Sequence, residues 1–499
     1  MTAKTRNAPP RATAMLESLR GLGYSTAAAL ADIVDNSISA GASEVRIEFQ
    51  WDGPGSRVLI LDDGQGMSDP ELEDAMRLGD KSPLATRAAH DLGRFGMGLK
   101  TASLSQCRRL TVASVKGGKQ SCLRWDLDEL AADPESDWLL FEGPAEGSKQ
   151  HLASLEGKAS GTLVLWEKLD RIVTTGYTVD DYLALTVAVE AHLAMVFHRL
   201  LQGSRARVKL LINSHAIKPW DPFMSGHPAK PWTSPPASMR TDGGLVVAQC
   251  HVLPHHDKLT REEFRENEGP AGWTAQQGFY VYRNERLLVA GGWLGLGNSK
   301  AWNREEAHRL ARIQLDIPNT ADADWKIDVR KSTARPPVSL RPWLIRLAED
   351  TRERARRVFA YRGTPMPTQR STPIEQAWRV DRVRDGIRYR IEQTHPAVAA
   401  VLDSAGDLAP LVKAMLRVIE ESVPVQRIWL DTAENKDTPK TGFSGEPPEA
   451  VVTVLRTLFA DMIGRRGMSV EVAKRSLLST EPFQNYPGLI AGLGDPDTA

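Results

Sequence analysis

The chain of 499 residues has little of several features that mark specialised protein classes. Its only three cysteines, Cys107, Cys122 and Cys250, lie far apart, which argues against a disulfide framework or a cysteine-rich metal site. No apolar stretch approaches the roughly 18 residues of a membrane span, and the first residues have no apolar signal-peptide core. We therefore expect a cytoplasmic protein without membrane partners.

The chain also has no excess of charge of either sign. Its 63 basic and 63 acidic residues give a formal net charge of zero. A nucleic-acid partner therefore cannot be inferred from the total charge, but only from local patches.

What is present is ordinary globular composition, with 41% hydrophobic and 25% charged residues. Elements to about residue 170 follow the order helix, strand, strand, helix, loop, helix, strands, which predicts a two-layer α/β sandwich over residues 1–170. A long helical pattern and further strands predict a second α/β domain over residues 171–337. Residues 338–499 are predicted to be mainly helical, with linkers near 364–373 and 431–448.

The first candidate functional pair lies on a helix predicted from about Ser25 to Ala40. Asp32 and Asn36 stand one helical turn apart and face the same way. A carboxylate can polarise a water for attack on a phosphate, and an amide oxygen can ligate Mg²⁺. The alternative is a polar outer face of a surface helix.

A second pattern follows the apolar run Val58–Leu61, which is typical of a central strand. Asp62 ends this run, and Gly64, Gly66 and Met67 come next. A carboxylate at a strand end can accept the adenine amino hydrogens, and glycines let the backbone pass close to a flat ring. A simple glycine turn between a strand and a helix is the alternative.

A third pattern is a glycine-rich segment that opens a predicted helix. Its backbone N–H groups could form a nest for phosphate oxygens, and the helix N-terminus and a lysine would add favourable charge. The spacing differs from the Rossmann and Walker patterns, and an ordinary glycine loop is the alternative. The segment consists of Gly93, Arg94, Phe95, Gly96, Met97, Gly98, Leu99 and Lys100.

A fourth pattern is Gly161-Thr162 at the start of a later strand. The hydroxyl of Thr162 could lie near adenine and complete the contacts to the base. Gly-Thr pairs are also common at strand entries, so this pattern alone is weak.

Together the four patterns resemble the motifs of the gyrase, heat-shock-chaperone, histidine-kinase and MutL (GHKL) ATPase superfamily. The matching motifs are D-x-x-D-N-S at 32–37, D-D-G-x-G-M at 62–67, G-R-F-G-M-G-L-K at 93–100 and the later Gly-Thr. The run D-L-G-R-F-G-M-G-L-K-T-A-S is most similar to prokaryotic MORC-like proteins. The resemblance implies a Bergerat-type α/β sandwich that binds ATP and Mg²⁺ under a lid at residues 79–91.

The resemblance also implies a role for each matching residue. Asp32 would position or deprotonate the attacking water, Asn36 would ligate Mg²⁺, and Asp62 with Thr162 would bind adenine. Because the family usually has glutamate where this chain has Asp32, turnover could be slow or absent. The base pocket would be lined by Gly64, Gly66 and Met67, and the phosphates would be wrapped by Gly93, Phe95, Gly96, Met97, Gly98, Leu99 and Lys100, with a weaker contribution from Lys81 and Ser82 of the lid.

The second domain resembles the transducer domain that follows the ATPase domain in gyrase, MutL and MORC proteins. Residues 278–287 match its strand–turn–strand, and residues 325–331 match the stretch that supplies a cation to the γ-phosphate. We predict Lys331 as that catalytic cation, then Lys326, because the loop after a strand at 327–329 should face ATP. Ordinary surface lysines are the alternative. A cation that contacts ATP and not ADP would couple hydrolysis to domain rotation.

By resemblance, the expected function is Mg²⁺-dependent ATP hydrolysis that closes a homodimer. MORC-like proteins further imply a DNA-directed system, such as restriction or phage defence, with DNA and proteins of that system as partners. Residues 341–390 contain 13 Arg against 6 Asp or Glu, an excess of seven that could contact DNA phosphates. A solvated helix with internal ion pairs has the same composition.

Two rival functions stay open, a non-hydrolysing ATP switch, which Asp32 favours, and a chaperone-like protein clamp. A sensor kinase is disfavoured because no phosphoacceptor helix precedes the motifs. A topoisomerase or nuclease is disfavoured because the sequence lacks their metal-binding and tyrosine regions. The cluster of Cys250, His251, His255 and His256 does not have the spacing of a zinc site.

Overall fold

The protein is described from a computed structural model. The chain divides into two compact units, residues 1–363 and 364–499. None of the helices in the described ranges is long and apolar enough to span a membrane. The structure describes residues 6, 10–78, 98–132, 138–203, 206–322, 324–328, 331, 333–360, 375–383, 386–425, 427–428 and 449–494.

The first unit begins with an eight-stranded sheet. Its strands are β1 (Glu44–Gln50), β2 (Arg57–Asp62), β3 (Arg109–Lys116), β4 (Lys119–Asp126), β5 (Phe141–Glu142), β6 (Ser160–Glu167), β7 (Lys209–Ile212) and β8 (His215–Ala216). Their order is β5-β4-β3-β6-β2-β1-β7-β8. All neighbouring pairs are antiparallel except β1 and β7, which are parallel.

Helices cover one face of this sheet. They are α1 (Ala12–Arg20), α2 (Thr26–Ser39), α3 (Asp69–Met76), α4 (Gly98–Leu104), α5 (Leu127–Ala132), α6 (Val179–Val196) and α7 (His198–Leu201). Alternate strand residues face opposite sides, so Val58 and Ile60 join the helical core, while Leu59 packs with Leu152 and Leu155 of a short 3₁₀ segment. This arrangement confirms the predicted two-layer α/β sandwich.

Helix α2 forms where the sequence predicts it. The Ser25 side chain caps its N-terminus by accepting a hydrogen bond from the Ala28 N–H at 3.2 Å. Leu30, Ile33 and Val34 are at most 1% exposed and fix the helix on the sheet. Three further buried positions of α2 are polar, and they begin the candidate site: Asp32, Asp35 and Ser37.

The first sheet does not end at the predicted boundary of residue 170. Strand β7, which the sequence analysis assigned to the second domain, pairs with β1. Helix α6 contributes Tyr182, Val189 and Leu193 to the same core. Parallel pairing between strands far apart in sequence leaves no local signal, so it was missed.

The second sheet of this unit has six strands. They are β9 (Trp232–Thr233), β10 (Ala237–Thr241), β11 (Gly244–Val252), β12 (Gly278–Arg283), β13 (Arg286–Ala290) and β14 (Ala311–Asp316). The order is β10-β11-β14-β12-β13, with β9 paired to β11. Helix α8 (Arg261–Glu266) follows β11, and α9 (Arg341–Ala360) packs Leu344, Ala348 and Ala355 into the core of this sheet. The strand predicted at 327–329 is wrong for Ile327 and Asp328, which lie in no strand.

The second unit is mainly helical, as predicted. It contains α10 (Pro396–Ser404), α11 (Ala409–Glu421), α12 (Glu449–Gly464), α13 (Val470–Leu478) and α14 (Pro487–Ala491). Its core includes Leu455, Phe459 and Leu477. One element was missed, an antiparallel pair of β15 (Trp378–Val383) and β16 (Gly386–Ile391), where helix was expected. Both predicted linkers, 364–373 and 431–448, lie outside the described residues.

Candidate active site

Two carboxylates of α2 point into the protein. Asp32 is 4% exposed and Asp35 is 1% exposed, whereas Asn36 is exposed. The alternative of a polar outer helix face is therefore wrong for Asp32. Burial of an unpaired carboxylate is costly, so both side chains need charged or hydrogen-bonding partners.

The partners come from the second sheet and from the turn that precedes α9. The Lys331 ammonium lies 3.1 Å from Oδ1 of Asp32 and 2.5 Å from Oδ2 of Asp35. Nε of Arg286, on β13, lies 3.2 and 3.1 Å from the two oxygens of Asp35. We call Asp32, Asp35, Arg286 and Lys331 the charge cluster.

The charge cluster has two negative and two positive groups. Burial alone would raise the pKa of Asp35, but the charges and hydrogen bonds of Arg286 and Lys331 outweigh burial and hold that pKa below its usual range. Both cations are themselves buried, with Arg286 4% and Lys331 8% exposed. The alternative of an ordinary surface lysine is therefore wrong for Lys331, although it fits the exposed Lys326.

A strained turn directs Lys331 to α2. Lys326 and Lys331 both have left-handed backbone conformations, with φ of 47° and 53°, which non-glycine residues rarely adopt. The Lys331 N–H donates to the Asp328 carbonyl at 3.0 Å, and the Asp328 carboxylate accepts from the Thr333 N–H at 2.9 Å. Backbone strain of this kind is found at sites where a side chain must be held in one place.

The second oxygen of Asp32 faces away from Lys331. Oδ2 accepts a hydrogen bond from the Tyr24 hydroxyl at 3.0 Å. Burial and the neighbouring Asp32 raise the pKa of Tyr24, so this hydroxyl stays protonated and keeps donating. A Cβ on Gly98, the first residue of α4, would lie 4.0 Å from the same oxygen. Asp32 therefore lies between Lys331 and the start of the helix that follows the glycine-rich segment.

A second set of residues surrounds Asp62 at the end of β2, and we call Asp62, Thr162, Ser114, Ser37 and the 64–67 turn the base end. The Asp62 carboxylate accepts from the Ser37 hydroxyl at 2.8 Å and from the Gly64 N–H at 3.0 Å. Asp62 lies opposite Thr162 in the pairing of β2 with β6. Burial raises the pKa of Asp62 despite these donors.

The turn after Asp62 fits closely against the neighbouring strands. Gly66 has φ of 67°, and a Cβ there would lie 1.8 Å from the Val115 carbonyl oxygen, so only glycine fits. The Met67 N–H donates to the Ser114 hydroxyl oxygen at 2.8 Å, and that oxygen lies 2.9 Å from Oγ1 of Thr162. Ser114 thus joins the turn to β6.

Ser37, Ser114 and Arg286 were not among the residues singled out from the sequence. Ser37 directly follows Asn36, so the D-x-x-D-N-S motif contains a signal for it. Ser114 and Arg286 lie inside strands, and no local pattern distinguishes them from other polar strand residues.

The predicted phosphate-binding residues are only partly described. Lys100 is 2% exposed. Its ammonium donates to the carbonyls of Ala75 and Arg77, at 2.9 and 2.6 Å, beside the end of α3. Leu99 is partly buried against the helical core. Gly93, Phe95, Gly96, Met97 and the predicted lid at 79–91, with Lys81 and Ser82, lie outside the described residues.

The cluster of Cys250, His251, His255 and His256 lacks the spacing of a zinc site, but the structure brings three possible metal ligands together beside it. Atoms of His255, His256 and Asp257 lie within 4.8 Å of one another, and Cys250 is not part of the group. Nη2 of Arg309 lies 3.4 Å from Nδ1 of His256. This guanidinium charge disfavours a metal cation there.

Comparison with known proteins identifies the domain that holds the base end and α2. The model of the family described as "Histidine kinase-, DNA gyrase B-, and HSP90-like ATPase" matches residues 24–162. This range contains Asp32, Asn36, Asp62 and Thr162, whereas Arg286 and Lys331 lie beyond it.

Curated relatives match the same part of the chain. A protein named DNA mismatch repair protein MutL from Leptospira biflexa is 32% identical over 123 residues, which are 24% of this chain and 20% of the relative. A protein of the same name from Acidiphilium cryptum is 32% identical over 103 residues, which are 20% of this chain and 18% of the relative. Another from Rhodospirillum rubrum is 36% identical over 93 residues, which are 18% of this chain and 15% of the relative. The chain thus aligns with a fifth or less of each relative's length. Residues 24–162 of the chain therefore match a domain of the histidine kinase-, DNA gyrase B- and HSP90-like ATPase family.

Proposed function

We propose that this protein binds ATP with Mg²⁺ and hydrolyses it to ADP and phosphate. The observation that carries the proposal is the contact between Asp32 and Lys331, which are 299 positions apart in sequence and meet in a buried cluster. A buried carboxylate and a buried cation next to a base end are what phosphoanhydride hydrolysis requires.

The base end fits an adenine. The Asp62 carboxylate has roughly four acceptor sites, and Ser37, Gly64 and the Thr162 backbone use three of them. One remaining site can accept a hydrogen bond from the adenine amino group. Gly66 has no side chain, so no side chain at this position separates the backbone of the turn from the base. Thr162 and Ser114 hold a hydroxyl pair beside the carboxylate.

The metal end rests on Asn36. Its side chain is exposed, and no side-chain hydrogen bond is formed by it within the described residues, so its amide oxygen is available as a Mg²⁺ ligand. Mg²⁺ held by Asn36 would offset the negative charge of the phosphates. Gly98, Leu99 and Lys100, with Gly93, Phe95, Gly96 and Met97, remain our proposed phosphate-binding residues.

In the proposed reaction, Asp32 orients a water and accepts its proton as the water oxygen bonds to the γ-phosphorus. The bond from that phosphorus to the β–γ bridging oxygen breaks, and ADP leaves. Lys331 stabilises the negative charge on the γ-phosphoryl oxygens as this bond breaks. Both groups already lie within 3.1 Å of each other, so they would need only a small rearrangement to contact the same phosphate.

A non-hydrolysing ATP switch is the second candidate, and the short side chain at position 32 favours it. Asp32 is bound by Lys331 on one oxygen and by Tyr24 on the other. If these contacts persist with ATP bound, both oxygens keep a hydrogen-bond donor, which lowers their basicity toward the proton of a water. Binding without turnover would then be the outcome.

We further propose that ATP closes a homodimer and that the dimer acts in a DNA-directed process, such as restriction or phage defence. Support comes from the resemblance to MORC-like proteins, from the relatives named DNA mismatch repair protein MutL, and from the arginine excess over residues 341–390. A chaperone-like clamp would instead bind proteins and be indifferent to DNA.

Two measurements test these proposals. ATP affinity and phosphate release are measured with and without Mg²⁺, and a folded protein with no affinity for ATP contradicts the function. The molecular mass in solution is then measured with ADP and with a non-hydrolysable ATP analogue, with and without duplex DNA. We expect a dimer with the analogue and salt-dependent DNA binding; DNA-independent protein binding would favour the clamp.

A further inference from the structure

Asp35 is a second buried carboxylate that the proposed reaction does not use. It lies one turn from Asp32 on α2 and is almost completely buried. Arg286 reaches it from β13, a strand 251 positions away, and Nη1 of Arg286 also donates to the Leu287 carbonyl at 2.7 Å. The guanidinium is therefore fixed at both ends, whereas the Lys331 ammonium is shared between two carboxylates.

The charge balance of the cluster limits what Lys331 can do. With Lys331 in place, two carboxylates face two cations. When Lys331 moves to a γ-phosphate, Asp32 and Asp35 are left with Arg286 alone. Removing a partner from a buried ion pair is strongly unfavourable, so without Arg286 the lysine would stay with the carboxylates.

Arg286 is suited to hold both carboxylates after the lysine has left. Its Nε contacts both oxygens of Asp35, and its Nη2 lies 3.8 Å from Oδ1 of Asp32. A guanidinium has several donors in a rigid plane and stays charged, unlike a lysine ammonium. His192 cannot replace it, because burial first and then the charge of Arg286 lower the pKa of His192 to about 4.

We propose that Arg286 is a positioning residue: by satisfying Asp35, it releases Lys331 from the carboxylates to the terminal phosphate of ATP. This inference rests on the proposed ATPase function and adds its regulation. Lys331 exchanges Asp35 for phosphate, Arg286 keeps Asp35 paired, and Asp32 becomes free to accept a proton. The same contact fastens β13 to α2, so the second sheet senses which nucleotide is bound.

The test compares Arg286→Met, Asp35→Asn and the double variant Asp35→Asn/Arg286→Met with the unmodified full chain. For each, kcat, the dissociation constants of ATP and ADP, and the melting temperature are measured with Mg²⁺. Arg286→Met should lower kcat on the order of tenfold or more, a usual range for coupling between sites. It should also reduce the preference for ATP over ADP, because Lys331 no longer reaches the phosphate that only ATP carries.

The double variant should recover most of the turnover and of the ATP preference, since one buried carboxylate then shares one lysine. Arg286→Lys should give an intermediate kcat, because it restores the charge without the planar fork, and it guards against misfolding of the methionine variant. Arg199→Met is the matched control: it removes a partly buried pair with Asp316, 2.5 Å apart, that does not touch α2. Its kcat and ATP preference should stay unchanged.

Equal losses of ATP and ADP affinity in Arg286→Met, in step with its melting temperature, would overturn the inference. The inference would also be overturned if the double variant kept the unmodified melting temperature but did not recover kcat. These results leave the ATPase proposal standing as long as the unmodified protein hydrolyses ATP. If the unmodified protein binds no ATP, both proposals are wrong.

Discussion

The base end and the charge cluster both include residues of α2 but are built differently. In the base end, the Ser37 hydroxyl and the Gly64 N–H donate to the Asp62 carboxylate of β2, and the Ser114 and Thr162 hydroxyls bond β3 to β6. The charge cluster joins α2 to β13 and to the turn at Lys331 through four buried charges. Hydrogen bonds inside one sheet favour a single geometry, whereas shared ion pairs between two layers can be exchanged. Under the proposed function, the base end would keep its geometry while the charge cluster rearranges.

The largest expected effect separates chemistry from binding. Asp32→Asn should lower kcat by on the order of 10² to 10⁴, the range for loss of a general base. ATP affinity should hardly change, because asparagine keeps one acceptor oxygen for Lys331, and its NH2 group can donate to the Tyr24 hydroxyl oxygen. Phosphate release and an ATP titration on the same preparation check this, and unchanged turnover would remove Asp32 from the mechanism.

The fixed geometry of the base end is tested by adding one methyl group. Gly66→Ala places a Cβ 1.8 Å from the Val115 carbonyl oxygen and should lower the free energy of unfolding by about 3 kcal/mol. Gly118→Ala is the control, because Gly118 also has positive φ, 73°, yet its Cβ would meet nothing within 4 Å. Denaturant unfolding of both measures the difference, and equal losses would mean that the turn can yield.

A substitution at Asp62 should change the affinity for nucleotide but hardly change kcat. Asp62→Asn keeps one acceptor oxygen but loses the charge, so ATP and ADP affinities should both fall by about tenfold, equivalent to about 1.4 kcal/mol. At saturating ATP, kcat should stay within a factor of about two, since this change removes uniform binding. Titrations with both nucleotides and a saturating rate measurement check it. A loss confined to ATP would contradict the division into two ends.

The smallest expected effect is on the free energy of unfolding, to which Asp35 and Asp62 should contribute pH dependences of opposite sign. Asp35 has a pKa below the unfolded value of 3.8, so it stabilises the fold above that value, and this contribution is lost as pH falls through its folded pKa. Asp62 has a raised pKa, so it increasingly opposes folding as pH rises from 3.8 through its folded value. Relative to the unmodified protein, Asp35→Asn should therefore lose stability, and Asp62→Asn should gain it, as pH rises through each window. Unfolding free energies measured across acid pH test this, and slopes of the same sign would refute the assigned environments.

Local sequence patterns predicted the first layer of the fold well. The apolar positions of α2 placed the helix within one residue of its observed bounds, Thr26–Ser39. The turn after Asp62 was predicted because Gly64 and Gly66 let the backbone pass close to other groups where a larger residue would not fit. The resemblance to a known superfamily, and not spacing, selected Lys331, since no periodicity relates positions 299 apart.

Long-range pairing was what the sequence could not reveal. Arg286 looks like any polar strand residue until β13 is brought against α2. The pairing of β15 with β16 was missed because helix was expected after the linker at 364–373, although the alternation of Trp378 and Val380 and the Asp385-Gly386 pair are typical of a hairpin. The second-domain boundary was misplaced because β7 joins the first sheet.

The parallel pairing of β7 with β1 has a practical consequence for anyone who isolates the nucleotide domain. A fragment ending at Glu167, the last residue of β6 and close to the end of the family match, would lack β7 and leave the outer edge of β1 with unpaired N–H and C=O groups. Such an edge is a template for strand addition by another molecule, so this fragment should self-associate. Extending it through Ile217, which packs on the same core, would supply the missing edge strand and protect it.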